Sequence, residues 1–251
     1  MRIAALIAIV VAMAPRMAGA APIACESMGQ VKLLNGLVLS AESVPAGAFT
    51  PPNANNAAAA GFSCVKVKVG IGDDAGRVAA VRAAAGDAMA IRVDANGAWG
   101  IDEAIAALNS LAPAGIELAE EPVHGVEPLR AVRAEVDVPL AMDETAAEEG
   151  AAGSGATDAV CLKIARCGGI SGVLRDAAAA RAAGSAVYLA STFDGPLGIA
   201  AAVHAAAGLT AGGPLPAHGL ATLDLFADPG ERVRPVRGAI RVPAEPGLGL
   251  A

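Results

Sequence analysis

Five short apolar runs in this sequence each carry charge where the run ends, and a turn or helix signal follows each one. Such runs are typical of buried strands, and the parallel strands of an α/β barrel present their carboxyl ends on one face. Five strands therefore bring these charges to one place, which predicts a site rather than an outer surface. The residues are Lys66 and Lys68 in 65–70, Asp94 in 91–97, Glu120 and Glu121 in 118–122, Asp143 and Glu144 in 140–144, and Lys163 in 161–163.

Strand and helix patterns alternate along the chain. Eight strands separated by helices predict parallel pairing through right-handed crossovers, and closing eight such units forms a (β/α)8-type barrel of the α/β class. The predicted strands are residues 31–39, 63–69, 88–94, 115–120, 138–142, 159–163, 186–190 and 215–218, and the predicted helices are residues 53–61, 73–86, 101–111, 126–136, 170–183 and 197–207.

An open, doubly wound sheet is the alternative architecture. A nucleotide-binding sheet of that kind needs a glycine-rich turn after its first strand, and Gly36 stands alone there. The strand count therefore favours the barrel. A chain of 251 residues with 55% hydrophobic content also suits one large domain with a sizeable core.

Composition limits the partners. A net charge of -7 with scattered basic residues gives no electrostatic footprint for a phosphate backbone, so nucleic acid is not expected. A small-molecule carboxylate is the predicted partner, no membrane is expected, and the oligomeric state stays open. The cysteines lack the paired spacing of a zinc site and are predicted to be reduced residues of a cytoplasmic protein; they are Cys25, Cys64, Cys161 and Cys167.

Three acidic residues close the predicted third, fourth and fifth strands. Neighbouring strands lie about 4.8 Å apart, so Asp94, Glu120 and Asp143 can direct three hard oxygen ligands at one cation. Such ligands suit Mg²⁺, which keeps its remaining positions for water or substrate oxygens. A carbon acid beside a carboxylate is too weak for an unaided amine, and a metal ion supplies the missing charge stabilisation.

Two lysines flank the acidic strands. Lys68 and Lys163 end the second and sixth strands, which places one amine on each face of a bound substrate. The positive charges of a metal ion and of a second lysine favour the neutral amine, the form that abstracts a proton. Lys68 is therefore the predicted base.

Further polar residues near the predicted strand ends are candidates for substrate binding. The simpler interpretations are that an acidic residue after a strand caps a helix and that Glu121 faces solvent or pairs with a base. Agreement among five positions favours the functional interpretation over these. The substrate-binding candidates are Lys66 and Arg92, which share the faces of Lys68 and Asp94 by strand alternation, together with Asn96, Ser191 and Thr192.

These motifs occur in an order that resembles the muconate-lactonising branch of the enolase superfamily. The resemblance covers about residues 31–251 and implies the (β/α)7β variant of the barrel, with Lys68 as the proton-abstracting residue and Lys163 as its counterpart across the site. It also implies a Mg²⁺-dependent enzyme. The matching segments are Lys66 and Lys68, residues 94–97, 120–122, 143–144 and 163–169, and the tail segments 240–243 and 246–249.

Within that branch, the compact spacing and residues 191–196 most resemble the o-succinylbenzoate synthases of menaquinone synthesis. The resemblance then implies a lyase that dehydrates its substrate through an ene-diolate. The alternatives in the same superfamily are an N-acyl amino acid racemase, a dipeptide epimerase and a muconate cycloisomerase. A second alternative is a non-catalytic or incomplete barrel, because only about 30 residues precede the first predicted strand and superfamily members carry a capping domain there.

The first 30 residues allow two interpretations. Met1 and Arg2 followed by apolar residues 3–13 and small residues 18–21 fit a secretory signal, and the apolar run is too short to span a bilayer. Residues 1–30 can instead be a remnant of the capping domain that precedes a barrel over residues 31–251. That remnant would pack as a helix through residues at helical spacing, namely Ile3, Leu6, Ile7 and Val10. A cytoplasmic location follows from the second interpretation.

Overall fold

The computed structural model describes residues 2–4, 7–9, 60–210, 216–223, 226 and 231–250. The strands of this part are β1 (Arg2–Ala4), β2 (Ile7–Ile9), β3 (Cys64–Lys68), β4 (Ala90–Asp94), β5 (Ile116–Glu120), β6 (Leu140–Met142), β7 (Ala159–Leu162), β8 (Ala186–Leu189) and β9 (Ala239–Arg241). Its α-helices are α1 (Asp74–Ala85), α2 (Ile101–Leu111), α3 (Val126–Arg133), α4 (Ile164–Cys167), α5 (Ile170–Ala182) and α6 (Gly195–Leu209).

Strands β2 to β8 form one parallel sheet in the order of the sequence, and β1 pairs with β9 antiparallel. From β3 to β8, α-helices cross between most neighbouring strands, and short 3-10 turns join β6 to β7. A parallel bridge from Ala190 to Gly219 continues the pairing beyond β8. This is the topology of an α/β barrel.

The sheet curves, as contacts across it show. Tyr188 on β8 donates a hydrogen bond to Glu120 on β5 at 2.6 Å. Three strand spacings in a flat sheet would separate these strands by about 14 Å. The inner face of the curve holds a small buried cluster of Leu118, Ala141, Ala159, Cys161, Tyr188 and Ala190.

Alternating residues of the strands face the helices. Val65 and Val67 of β3 belong to the same buried cluster as Val78 and Val81 of α1. Because side chains alternate along a strand, Lys66 and Lys68 then face the inside of the curve. The large apolar core therefore lies between sheet and helices, and the polar residues of the strand ends lie within the barrel.

Local sequence explains where several helices begin and end. Asp73 caps α1, accepting a hydrogen bond from the backbone N–H of Gly76 at 3.0 Å. Gly86 ends the helix with a φ of 76°, a conformation that costs glycine little. The helix predicted over residues 73–86 is thereby confirmed within its two capping residues, and α2 has the predicted bounds. No helix among the described residues is both long and apolar enough to cross a membrane.

The N-terminal helix expected from Ile3 and Ile7 is wrong, because both residues lie in strands. Strand β2 pairs with β3, with Ile7 opposite Val65. Leu6, Val10 and the strand predicted over residues 31–39 lie outside the described residues, as does the predicted helix 53–61 apart from a turn at its end. The eighth predicted strand is reduced to the bridge at Gly219. The division of the chain at residues 30 and 31 stays a prediction.

Candidate active site

Charged side chains gather at the carboxyl end of the sheet, one strand after another. Lys68 lies beside Asp94, and Asp94 beside Glu120, in the register of β3, β4 and β5. Asp143 directly follows β6, and Lys163 directly follows β7. The carboxylates are almost closed to solvent, since Asp94, Glu120 and Asp143 are 1%, 1% and 2% exposed.

Two lysines hold the Asp94 carboxylate. Lys68 Nζ lies 2.6 Å and Lys66 Nζ 2.8 Å from the same oxygen, Asp94 Oδ2. Lys66 also donates to Glu120 Oε1 at 2.8 Å, so one ammonium group joins two carboxylates. Asn96 accepts a hydrogen bond from Lys68, and its backbone N–H donates to Asp94 Oδ1 at 3.0 Å. The turn after β4 is thereby folded back onto the site.

Lys163 holds Asp143 on the other side. Its Nζ donates to Asp143 Oδ2, while Arg166 Nη1 donates to Asp143 Oδ1 at 3.2 Å. A cavity of about 410 Å³ opens beside Asp143 and Lys163, with Arg166 and Cys167 among its lining residues. A volume of that order accommodates a small organic ligand.

The carboxylates of the three predicted metal ligands lie in a row rather than around one common point. Ligand atoms of Glu120, Asp143 and Cys161 all lie within 4.8 Å of one another. Among the described residues, Asp94 is not part of that group, and Lys66 links it to Glu120 instead. Glu120 is therefore the central carboxylate of the three.

Burial and charge shift the pKa values of this cluster. Burial by itself lowers the pKa of Lys66, but the carboxylates of Glu120 and Asp94 raise it well above its ordinary value. Burial would raise the pKa of Asp94, yet Lys66 and Lys68 lower it below the usual range. Burial raises the pKa of Glu120, and the negative charges of Asp94 and Asp143 raise it further. The positive charge of Lys66 lowers this pKa, but only in part.

The residues present fit a hard divalent cation. Carboxylate oxygens are the ligands that Mg²⁺ prefers, and three of them close neighbouring strands here. Burial raises the pKa of the Cys161 thiol well above its ordinary value, so this sulfur stays protonated and is a poor ligand for such an ion. Glu120 and Asp143 lie within reach of one ion, and the assignment of Asp94, Glu120 and Asp143 together as the ligands that would hold Mg²⁺ stays a prediction.

Arg92 lies deeper in the barrel than the acidic residues. It is fully buried, with Nε 2.7 Å from Glu117 Oε2 and Nη1 donating to the carbonyl of Ala217 at 2.8 Å. Its guanidinium carbon lies 4.7 Å from the centre of the Tyr188 ring. The structure does not bring Arg92 into contact with the carboxylates, and its predicted role in substrate binding stays a prediction.

Ser191 and Thr192 lie in the turn that follows β8. Ser191 Oγ accepts hydrogen bonds from the backbone N–H groups of Phe193 and Asp194 at 3.1 and 3.3 Å. Thr192 Oγ1 donates to Asp194 Oδ1 at 2.9 Å. Both hydroxyls are thus engaged in building the turn before α6, and their predicted substrate contacts stay predictions.

Of the two interpretations of Glu121, pairing with a base agrees with the 3.0 Å contact between its Oε1 and His124 Nδ1, and exposure to solvent is wrong; the role of Tyr188 was missed. Glu121 does not face solvent; it is 0% exposed and accepts hydrogen bonds from the backbone N–H groups of Asp143 and Thr145. A glutamate beside a candidate ligand at a strand end offered a signal for this, because strand alternation sends adjacent side chains in opposite directions. Tyr188 reaches Glu120 over three strand spacings, and nothing local in the sequence indicates that contact.

The curved parallel sheet and the acidic cluster at its carboxyl end define an α/β-barrel protein with a candidate metal site. The model of the family "Enolase C-terminal domain-like" matches residues 52–251. The chain therefore belongs to this family, and the predicted resemblance to the enolase superfamily is confirmed.

Three known proteins illustrate the range of relatives. The o-succinylbenzoate synthase of Mycobacterium tuberculosis is 41% identical over 197 residues, which are 72% of this chain and 57% of that protein. The L-Ala-D/L-Glu epimerase of Bacillus subtilis is 35% identical over 166 residues, or 62% and 45% of the two chains. A Cytophaga hutchinsonii dipeptide epimerase, solved with Mg and the dipeptide D-Ala-L-Val, superposes with a TM-score of 0.71 at 30% identity, covering 78% of this chain and 56% of that one. The chain thus spans about half the length of these relatives.

Proposed function

We propose that this chain carries the catalytic site of a Mg²⁺-dependent enzyme that removes a proton from the carbon beside a substrate carboxylate. The observation that carries the proposal is the order of charges along the sheet. Lys68 ends β3 and Lys163 follows β7, and the three buried carboxylates lie on the strands between them. One amine is thereby available on each side of the acidic cluster.

Each residue has a distinct task in this proposal. A bound Mg²⁺ would supply positive charge for the oxygens of the substrate carboxylate as its neighbouring proton leaves. Lys68 Nζ accepts that proton, and the amine of Lys163 either returns a proton from the opposite side or stabilises charge there. Lys66 bridges Asp94 and Glu120 and so keeps the oxygens of both carboxylates aligned.

Among the reactions of this family, we propose dehydration of the o-succinylbenzoate synthase kind, as in menaquinone synthesis. The 41% identical relative supports this choice. The alternative is racemisation, epimerisation or cycloisomerisation, which the epimerase relatives support. The same barrel chemistry serves all of these, because each removes or adds a proton at the carbon beside a carboxylate. The cytoplasmic location belongs with the dehydration proposal and stays a prediction.

The decisive experiment assays the purified chain, with Mg²⁺, against the hydroxylated cyclohexadiene precursor of o-succinylbenzoate, N-acyl amino acids and L-Ala-L-Glu. Dehydration of the first substrate in preference to the others is the expected result, and EDTA should abolish it. Turnover of only the dipeptide would replace the lyase with an epimerase. Absence of both turnover and α-proton exchange in D₂O, in protein that binds Mg²⁺, would contradict the catalytic proposal for this chain.

A further inference from the structure

Glu121 connects the turns that follow the strands of the candidate metal ligands. It directly follows Glu120, is fully buried, and has a φ of 41°, a left-handed conformation that residues other than glycine seldom adopt. Strain of this kind persists where surrounding contacts enforce it and clusters at functional sites. The contacts that enforce it here reach two other turns.

The side chain of Glu121 contacts the turn after β6. Its Oε2 accepts from the backbone N–H of Asp143 at 2.7 Å, and its Oε1 accepts from the backbone N–H of Thr145 at 3.0 Å. The Thr145 hydroxyl also donates to Oε1. Hydrogen bonds to an ionised carboxylate are stronger than those between neutral groups, so this turn has little freedom to move.

The backbone of Glu121 contacts the neighbouring strands as well. Its N–H donates to the carbonyl of Ala141 at 2.8 Å, and its carbonyl accepts from the N–H of Gly97 at 2.6 Å. Gly97 belongs to the turn that follows Asp94. One residue therefore joins the turns after β4, β5 and β6, and the three candidate ligands lie at the starts of these turns or directly before them.

From these contacts we infer that Glu121 is a positioning residue, which fixes the Asp143 carboxylate relative to Glu120 and Asp94. The inference rests on the proposed function, since the ion held by those carboxylates gives their spacing its purpose. A buried carboxylate is costly unless it is fully hydrogen-bonded, and an apolar side chain would fill the same space at less cost. A carboxylate at position 121 is useful because it binds the backbone N–H groups of Asp143 and Thr145 and so orders that turn.

Glu121 is better explained as a positioning residue than as a ligand in its own right. Ligand atoms of Glu121, His124 and Glu144 lie within 4.8 Å of one another, which resembles a second metal site. However, Glu121 Oε1 already accepts from Thr145 and lies 3.0 Å from His124 Nδ1, while Oε2 accepts from Asp143. A cation there would have to displace the donors that hold the turn.

The test compares Glu121→Gln with a control whose side chain also contacts β6 or the turn after it. Gln keeps the size of the side chain but replaces one of the two accepting oxygens by an N–H₂ group, which faces an N–H donor. Asp158→Asn is the matched control, because Asp158 Oδ2 accepts from the N–H of Leu140 at 2.9 Å, at the opposite end of β6. Both variants perturb β6, but only Glu121→Gln perturbs its ligand-bearing end.

Affinity for Mn²⁺, measured by electron paramagnetic resonance, should fall about tenfold or more in Glu121→Gln and less than about threefold in Asp158→Asn, since supporting contacts around a metal site contribute roughly 10–100-fold to affinity. Unchanged affinity in folded Glu121→Gln would overturn the inference. Equal losses in both variants would overturn it too, because the effect would then belong to the stability of β6.

Hydrogen exchange of the metal-free proteins separates this inference from the proposed function. Failure of the wild-type chain to bind Mn²⁺ would count against the metal site alone. The inference then stands if the Asp143 and Thr145 amides lose protection in Glu121→Gln but keep it in Asp158→Asn, and it falls if they stay protected.

Should Glu121→Gln not fold, Thr145→Val takes its place, and Thr145→Ser is then the control. Selective loss of amide protection at Asp143 in Thr145→Val supports the inference, and equal protection in the pair overturns it.

Discussion

Buried charged side chains form two layers in this barrel, and the layers differ in whether their charged groups share partners. In the deeper layer, Arg92 has fixed partners: the carboxylate of Glu117, the carbonyl of Ala217 and the ring of Tyr188. In the upper layer, partners are shared. Asp94 accepts from two lysines, and one of these lysines also contacts a second carboxylate.

The difference separates structural charge from functional charge. The buried guanidinium group of Arg92 contacts a carboxylate, a backbone carbonyl and an aromatic ring, so exchanging these partners would reduce the stability of the fold. Ammonium groups shared among carboxylates can be displaced by a divalent cation, which supplies the positive charge that the ammonium groups otherwise provide. Altering single members of each layer should therefore affect chemistry in the upper layer and folding stability in the deeper one.

The largest effect is expected for Lys68→Ala. Loss of a positioned base removes about 10²–10⁴-fold in rate, so exchange of the substrate α-proton with D₂O should fall by that factor while Mg²⁺ binding changes little. NMR of the exchanging proton measures the first quantity and calorimetry the second. Wild-type exchange in this variant would exclude Lys68 as the base.

Lys163→Ala sharpens the assignment of the second amine. Racemisation should be lost, because it needs an acid or base on each face; surviving dehydration would limit Lys163 to that role, whereas loss of both would show that dehydration also depends on its charge. Parallel assays of one preparation with both substrate types distinguish these outcomes.

The next largest effect is expected for Asp143→Asn, which should weaken Mg²⁺ binding. A neutral amide replaces an anionic ligand, so the loss should exceed the roughly 10–100-fold associated with outer contacts of a metal site. Isothermal titration with Mg²⁺ measures it. Binding as tight as in the wild type would remove Asp143 from the ligand set.

His218 tests the deeper layer through pH. Burial and the nearby charge of Arg92 lower its pKa to about 4, and its Nδ1 accepts from the N–H of Leu189 at 2.9 Å. Because the folded-state pKa lies below the unfolded value, its contribution is complete above about pH 6.5 and is lost as pH falls toward 4, by up to about 3 kcal/mol. Urea unfolding at several pH values should show a smaller loss in His218→Asn than in the wild type. Parallel pH profiles for the two proteins would contradict this.

Arg92→Met should reduce stability by about 1–3 kcal/mol, because it leaves the carbonyl of Ala217 without its donor while the half-exposed Glu117 stays hydrated. Denaturant unfolding measures the change. Activity of the folded variant should persist if Arg92 is structural. A selective rise in KM at unchanged stability would instead support the substrate-binding role predicted for Arg92.

Tyr188→Phe is expected to have the smallest effect, about 1.5 kcal/mol, because it removes one hydrogen bond to the Glu120 carboxylate while Lys66 keeps the other oxygen paired. This tyrosine contacts both layers, so the variant shows how independent they are. Thermal unfolding and Mg²⁺ titration of the same protein should reveal a small change in each. A large loss of metal affinity would show that the two layers are coupled.

Much of the fold was predictable because its signals are local. The cap at Asp73 and the bounds of α2 follow from residues within one or two helical turns. Parallel pairing then followed from the alternation of strands with helices. The strands at residues 2–4 and 7–9 were missed because their apolar pattern suits a helix equally well and only pairing with distant strands decides between the two.

The candidate site was predictable to the level of which residues approach one another. Strand ends bring Lys68, Asp94 and Glu120 into adjacent register, as sequence alternation indicates. The sequence does not indicate that Lys66 joins two carboxylates or that Tyr188 reaches Glu120, because these contacts depend on how the sheet curves. The curvature of the sheet therefore determines which site residues contact one another, while the local sequence pattern indicates which residues reach the site.

The adjacency of Glu120 and Glu121 makes the length of β5 critical. The two residues have the same side chain but serve opposite sides of the strand, one within the barrel and one at the turn after β6. Deleting a single residue from Ile116–Glu120 would move Glu121 into the inward position and leave the outer position to Pro122, which has no side-chain oxygen. The length of this strand is therefore as constrained as the identity of Glu120, and sequence comparisons of this segment should show no variation in length.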